Sequence, residues 1–338
     1  MTEPAVLDMV GGTPLLPIRR AAEVEGLDLW AKCEFVNPSG SHKDRIYLAM
    51  FQEAEARGRL RPGMTVIEAS TGNAGAACAL VGLIKGYPVK VVMPQGMSPE
   101  RSKMIRALGA EVEFTPGGES DQDLAMARVQ EIVKAEPDRF WYPDQFSNPD
   151  NVLAHYRGTG PEIWEQTGGD VGAVVAAVGS GGTLTGVGRF LKERYPGVKV
   201  FAVEPSECAI LARGEWGTHH IQGIGDGFVP KNLDLDLVDG VITVSSRQAI
   251  DAARRLARRE GLFVGISSGC NVEAAAKLAA SGFSGRIVTV LNDSGKKYFT
   301  SPLFGEMEEL EIPDRDHSLD EAVERELRAH RQRWLILD

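Results

Sequence analysis

Short apolar runs rich in valine and isoleucine alternate with helical segments along almost the whole chain, and this alternation restricts the fold more than any other feature. MTVIEAS (64–70) reads as a buried strand and AGAACALVGLIKG (74–86) as the helix after it. VKVVMP (89–94) and EVEFTP (111–116) read as further strands, with helices over 98–110 and 119–136. The pattern resumes with AVVAAVG (173–179), a helix ending at Tyr195, and KVFAVEP (199–205). VITVS (241–245), a helix from Arg247 to Glu260 and RIVTVL (286–291) complete it. Short, β-rich apolar runs separated by helices form parallel sheets covered on both faces. The expected fold class is therefore α/β, with two parallel-sheet, three-layer domains. The Pro/Asn/Asp-rich stretch Pro143–Asn151 interrupts the alternation and marks the expected seam. Ligands in such folds sit at the carboxyl ends of strands, so the loops after strands carry the search for function.

Composition removes several classes of function. The 338 residues carry 37 basic and 47 acidic side chains, a net charge of -10, with no basic excess to neutralise nucleic-acid phosphates. The arginines at 254, 255, 258 and 259 fall at helical spacing and read as a solvated face. No apolar run reaches membrane-spanning length, and the first ten residues lack the basic start and apolar stretch of a signal peptide. Cys33, Cys78, Cys208 and Cys270 are far apart and form no CxxC pair, which suits a reduced, cytoplasmic protein. His219 and His220 have no partner at ligand spacing, so no metal site is expected.

Four segments carry chemistry. In NPSGSHKDR (37–45), Ser41 followed by Asp44 resembles a capping box, which puts Lys43 in the first turn of the helix that follows. There the helix dipole opposes a cation and favours the neutral amine that Schiff-base chemistry requires. In EASTGNAG (68–75), a strand turns through Ser-Thr-Gly-Asn into a helix, where free N–H groups and short hydroxyls suit a carboxylate. In AVGSGGTLTG (177–186), glycines let the backbone wrap closely, and N–H groups with the Ser180 and Thr183 hydroxyls suit a phosphate. Gly179 and Gly181 also begin a dinucleotide fingerprint, and Glu204 stands where a ribose-binding acid would, but Leu184 occupies the place of the third glycine. In GISSGC (265–270), Ser267 and Ser268 can offer one hydrogen bond to a ring nitrogen. Taken singly, each has a plainer reading: a surface lysine, a capped turn, a tight loop, an N-cap.

In this order the segments resemble the fold-type II pyridoxal-phosphate family, nearest to its cysteine synthases and the catalytic core of cystathionine β-synthases. The resemblance runs from VGGTPLLPI (10–18) through DQFSNPDN (144–151), GTGPEIWEQT (158–167) and IQGIGDGFVP (221–230) to KKYFTSPLF (296–304). It implies a tryptophan synthase β-like fold with pyridoxal 5'-phosphate in the cleft between the domains. A smaller mobile domain, 44–150, would bind the substrate carboxylate; 1–43 plus 151–338 would form the larger domain, with a C-terminal helix over 318–334, capped by Ser318 with Glu321. By the same resemblance Lys43 is the Schiff-base lysine and Asn73 contacts the ring hydroxyl. Gly179, Ser180, Gly181, Gly182 and Thr183 hold the phosphate, and Ser267 faces the pyridine nitrogen. Ser70, Thr71, Gly72 and Gln145 hold the substrate carboxylate. Three positions depart from the cysteine synthase pattern: His42 replaces a small apolar residue, Ala74 a threonine, and Asp226 an alanine.

A neutral hydroxyl at the pyridine nitrogen weakens full delocalisation of a carbanion and favours prompt loss of a β leaving group, with Lys43 as general base. The leading expectation is thus β-replacement on an activated L-serine by a sulfur nucleophile, forming L-cysteine, in a homodimer whose partners are an amino-acid substrate and sulfide or a thiol. The alternatives are condensation with homocysteine, β-elimination by a serine/threonine dehydratase or cysteine desulfhydrase, and, from other classes, an NAD-dependent dehydrogenase or a non-catalytic amino-acid-binding relative.

Overall fold

The structure is a computed structural model that describes residues 5–118, 121–305 and 317–338. Its strands form two sheets. The smaller has the order β5-β4-β3-β6, from β3 (Thr65–Ala69), β4 (Val89–Pro94), β5 (Glu111–Thr115) and β6 (Phe140–Trp141), all parallel. The larger has seven strands in the order β1-β2-β10-β7-β8-β9-β11. These are β1 (Leu15–Ile18), β2 (Leu29–Cys33), β7 (Ala173–Ala177), β8 (Lys199–Pro205), β9 (Gly240–Val244), β10 (Ile287–Leu291) and β11 (Leu335–Leu337). Six are parallel to their neighbours, and β1 pairs with β2 antiparallel at one edge.

Both sheets are covered on two faces, and the strands show why. Along β7, Ala173 and Val175 join the core beneath α9 (Ser246–Arg255) and α10 (Ile266–Ala280), whereas Val174 and Ala176 join the core beneath α6 (Gly160–Thr167) and α7 (Gly182–Arg194). In the smaller sheet Val91 faces α1 (Lys43–Ala56), α2 (Asn73–Lys85) and α3 (Pro99–Ala107), and Val92 faces α4 (Gln122–Ala135). A central strand such as β7, whose side chains alternate between two cores, is apolar at every position, whereas the edge strand β5 (EVEFT) carries glutamates on its exposed side.

Several boundaries differ from expectation. The helix expected over 119–136 runs over Gln122–Ala135; Glu119 and Ser120 lie outside the described residues. The seam at 143–151 already contains the start of α5 (Pro149–Ala154), capped by Asn148, whose side chain accepts from Asp150 N at 3.0 Å. The helix expected from Arg247 to Glu260 widens into a π-turn at Leu256–Glu260. The C-terminal helix expected over 318–334 is α11, Glu321–Arg331, and its cap is Asp320, which accepts from Ala322 N at 2.8 Å. Beyond it Trp334 is buried in the core of the larger sheet, and Leu335–Leu337 pair with Gly240–Ile242 as the last strand. The acidic segment 306–316 lies outside the described residues.

Candidate active site

Four segments converge on one pocket, lined among others by His42, Lys43, Ser70, Thr71, Asn73, Gln145, Gly179, Ser180, Ser267 and Asn292. The segment before Lys43 is tied to the loop after β10. His42 N donates to Asn292 O at 3.0 Å, Ser294 N donates to Gly40 O at 3.1 Å, and Ser41 bridges Asp293. α1 begins at Lys43, whose side chain is buried. The expected Ser41–Asp44 capping box does not form. The Asp44 carboxylate instead accepts from Ser39 N and Ser39 Oγ, because the chain folds back at Gly40. Arg45 then locks the helix start to the larger sheet: its guanidinium donates to Glu34 at 2.7 and 2.8 Å and to Glu162 at 2.7 and 2.8 Å. The fully buried Glu34 stays below the usual carboxylate range despite its burial, because Arg45, Thr13 and Asn37 all serve it. Burial also works to raise Glu162, but Arg45 and Lys32 overcome it and hold the group down at about 2.

The lysine points at the glycine loop. Lys43 Nζ donates to Ser180 Oγ at 3.5 Å, and Asn151 Nδ2 donates to the same oxygen at 2.9 Å. The loop Gly179–Thr183 leads from β7 into α7, whose first-turn amides have no partner within the helix. Gly181 sits at φ +79°, and a Cβ there would lie 2.8 Å from Leu233 N. At Gly179 a Cβ would lie 2.7 Å from Gly223 O. The loop is therefore a backbone cradle whose donors are amides and the hydroxyls of Ser180 and Thr183, the donor set of a phosphate site. Thr183 Oγ1 lies 3.1 Å from Nε2 of His155, a ring that burial pushes down to about 3 and so keeps neutral. Gly181, Gly182 and Thr183 form the start of α7 behind the pocket wall to which Gly179 and Ser180 contribute.

On the opposite side, Ser70 Oγ accepts from Gly72 N at 3.0 Å and Gly75 N at 2.7 Å, which caps α2. The capped-turn reading of this segment is realised, with the Gly72 N–H taken by Ser70, and Ser70, Thr71 and Asn73 also line the pocket. Gln145 lines the pocket too, with Nε2 donating to Ala69 O at 3.3 Å. The three departing residues, His42, Ala74 and Asp226, all belong to the pocket wall.

A buried polar cluster is not legible in the sequence. Asn73 Nδ2 donates to Asp293 Oδ2 and Asn73 Oδ1 accepts from Lys297 Nζ, each at 2.7 Å. Tyr298 OH donates to Asp293 and accepts from Arg101, which also donates to Thr71 O. Burial pushes Lys297 down to about 8, against the pull of Asp293. This cluster sets the plane of the Asn73 amide beside the pocket.

The dinucleotide reading does not survive the geometry of Glu204. That carboxylate accepts from Leu211 N at 2.8 Å and Ala212 N at 2.7 Å, so it serves the start of α8 (Ile210–Arg213). Burial pushes it up to about 7. It is not part of the pocket wall. Among the described residues no cluster of His, Cys, Asp or Glu could hold a metal ion, and no helix is long and apolar enough to cross a membrane. All four cysteines are free and buried.

Two covered sheets, with a lysine that reaches a glycine-rich helix start in their shared pocket, give an α/β fold whose site offers an amine beside the donors that an anion needs. The chain belongs to the pyridoxal-phosphate dependent enzymes, whose family model matches residues 6–293, and pyridoxal 5'-phosphate is its cofactor. It is 40% identical over 301 residues to a cysteine synthase of Staphylococcus aureus (strain Mu50), covering 88% of this chain and 96% of that protein. It is similar to a lysine-to-alanine variant of O-ureido-L-serine synthase with O-ureido-L-serine bound: TM-score 0.85, 37% identity, 96% of this chain and 98% of the other. It is also similar to O-acetylserine sulfhydrylase isoform 3 of Entamoeba histolytica: TM-score 0.81, 36% identity, 95% of each chain.

Proposed function

We propose that this enzyme forms L-cysteine by β-replacement on an activated L-serine with sulfide. The observation that carries the proposal is the contact of Lys43 Nζ with Ser180 of the glycine loop, in a pocket that Ser70, Thr71 and the hydroxyl-bearing Ser267 also line. In this reading Gly179, Ser180, Gly181, Gly182 and Thr183 hold the cofactor phosphate, Asn73 the ring hydroxyl, and Ser267 the pyridine nitrogen. Ser70, Thr71, Gly72 and Gln145 hold the substrate carboxylate. When bound, pyridoxal phosphate supplies the electron sink that makes the substrate α-proton acidic. Lys43 Nζ accepts that proton and, at the end of turnover, returns one. Ser267 donates a neutral hydrogen bond and provides no carboxylate to keep the ring nitrogen protonated, which favours expulsion of the β leaving group. Closure of the cleft over a bound amino acid would exclude water, so that sulfide and not water completes the reaction.

A carboxylate bound at the Ser70 turn would draw residues 44–150, as the smaller mobile domain, toward the larger one formed by 1–43 plus 151–338. Crystal structures with and without a bound amino acid test this, and identical domain positions would remove it. A second reading, condensation with homocysteine to cystathionine, rests on Asp226: its buried carboxylate in the pocket wall is suited to pair with a second ammonium group. The proposed assembly is a homodimer, supported by the stacked and exposed Phe299 and Phe304 beside Phe263, and sedimentation measures it. The proposed location is cytoplasmic, in keeping with four free cysteines.

The test is an assay of acetylserine, phosphoserine and serine, each with sulfide and with homocysteine. Cysteine from an activated serine and sulfide supports the proposal. Cystathionine supports the second reading. Pyruvate from serine or cysteine alone, with neither product from any pair, replaces both with β-elimination.

A further inference from the structure

Ser267 stands in the first turn of α10 and is 3% exposed. Its Oγ accepts one hydrogen bond, from Asn292 Nδ2 at 3.1 Å, and its own hydrogen is donated to no protein acceptor among the described residues. The other half of the Asn292 amide faces His42: Oδ1 and His42 Nδ1 are 3.3 Å apart. An amide oxygen only accepts, so the hydrogen between them belongs to His42 Nδ1. Burial holds His42 well below the ordinary histidine range, and Lys43, His155 and Lys297 act in the same direction. The ring is neutral, with its single hydrogen on Nδ1.

The amide cannot turn over freely. Turning it requires the His42 hydrogen to move to Nε2 and the Ser267 hydrogen to swing to Oδ1, so imidazole, amide and hydroxyl change orientation together. The backbone on both sides is pinned: His42 N donates to Asn292 O at 3.0 Å, and Asn292 N donates to Ser268 Oγ at 2.9 Å. In the orientation the structure shows, the donors run from His42 to Asn292 to Ser267, and the Ser267 hydrogen is left for the pocket. His42 and Asn292 are 250 positions apart in the chain, and both line the same pocket as Ser267.

We propose that His42 is a positioning residue that, through Asn292, fixes the Ser267 hydroxyl as a hydrogen-bond donor to the cofactor ring nitrogen. The inference rests on the reading of Ser267 as the partner of that nitrogen. It explains the departing residue beside Lys43. The ring nitrogen is kept as an acceptor, without a proton, because the hydroxyl opposite it has only a hydrogen to offer.

The measurement is the nitrogen NMR resonance of bound pyridoxal phosphate labelled with 15N in the ring, followed with pH together with the visible absorption band. The wild type should show an unprotonated, hydrogen-bonded ring nitrogen. Asn292→Asp gives a carboxylate that accepts from both His42 and Ser267, so the Ser267 hydrogen turns away from the cofactor and the resonance should move toward the pyridinium position. His42→Leu fills the space but donates nothing, and the resonance should leave its wild-type position. His42→Gln can donate to Asn292 Oδ1 and should restore it. A purely structural role for His42 would be met as well by leucine as by glutamine.

Ser267→Ala separates the relay from the reading beneath it. If Ser267→Ala leaves the resonance unmoved, Ser267 does not face the ring nitrogen and the underlying reading fails. If Ser267→Ala shifts it while His42→Leu and Asn292→Asp keep the wild-type position and titration, the relay alone is overturned. Should His42→Leu fail to retain the cofactor, Asn292→Asp decides: a wild-type resonance there overturns the relay.

Discussion

The two helix starts that contribute to the pocket wall are built alike and left in different states. Each follows a parallel strand, turns through serine and glycine, and begins a 13-residue helix, α2 at Asn73 and α7 at Gly182. At α2, Ser70 Oγ takes the N–H groups of Gly72 and Gly75, so the turn satisfies part of its own demand for an acceptor. At α7 the cap is Gly181, which has no side chain to turn inward, and Ser180 Oγ accepts from Asn151 and Lys43 instead. A helix start becomes a strong anion site when its own side chains leave the amides open. The open cradle suits a dianionic phosphate kept through every turnover. The half-satisfied turn suits a carboxylate that must come and go.

Substitutions can break this comparison, and the largest effect is expected at the lysine between the two ends. Lys43→Ala removes the proposed base and covalent anchor of the cofactor, and kcat should fall by at least ~10³-fold; steady-state assays measure it. Next in size is Arg45→Ala, which leaves the fully buried Glu34 without its cation and should cost about 3–5 kcal/mol of stability in a denaturant melt. The same cluster predicts acid sensitivity. Glu162 is held down at about 2, so its contribution is present above the unfolded carboxylate range near 4.5 and is lost as pH falls from there toward 2. Melts of the wild type should weaken in that window, and replacing Glu162 with Gln should flatten the dependence.

The two helix starts themselves should then separate. Thr183→Val removes one proposed donor to the cofactor phosphate and should weaken cofactor retention by roughly 10–100-fold, read by dialysis and absorbance. Ser70→Ala should leave cofactor retention near wild type and raise KM for the amino acid by roughly 10-fold, with about 1 kcal/mol lost from the α2 cap. If Ser70→Ala releases the cofactor and Thr183→Val changes only KM, the assignment of the two ends is reversed.

How much of this is legible in the sequence follows from distance along the chain. The Gly179–Thr183 cradle and the Ser70 turn are local motifs, in which strand, turn and helix start are consecutive, so pattern reading reaches them. The contacts that aim their side chains are not local. His42 meets Asn292 across 250 positions and Asn73 meets Lys297 across 224, and nothing in KKYF marks Lys297 as buried. Edge strands escape pattern reading as well: LLPI and LIL are three or four residues long and gain strand character only from the partners they pair with. Glu204 stands at the expected end of β8, yet it serves the helix that follows, because the backbone N–H groups of Leu211 and Ala212 arrive there first.

The central claim is that Lys43, and no other lysine near the pocket, carries the cofactor. Lys297 is the natural competitor, buried and 2.7 Å from Asn73. Borohydride reduction of the holoenzyme, followed by proteolysis and mass spectrometry, fixes the cofactor to its lysine and finds it directly. A single phosphopyridoxyl group is expected on the peptide containing Lys43. The same group on Lys297, or on any other lysine, would contradict the claim.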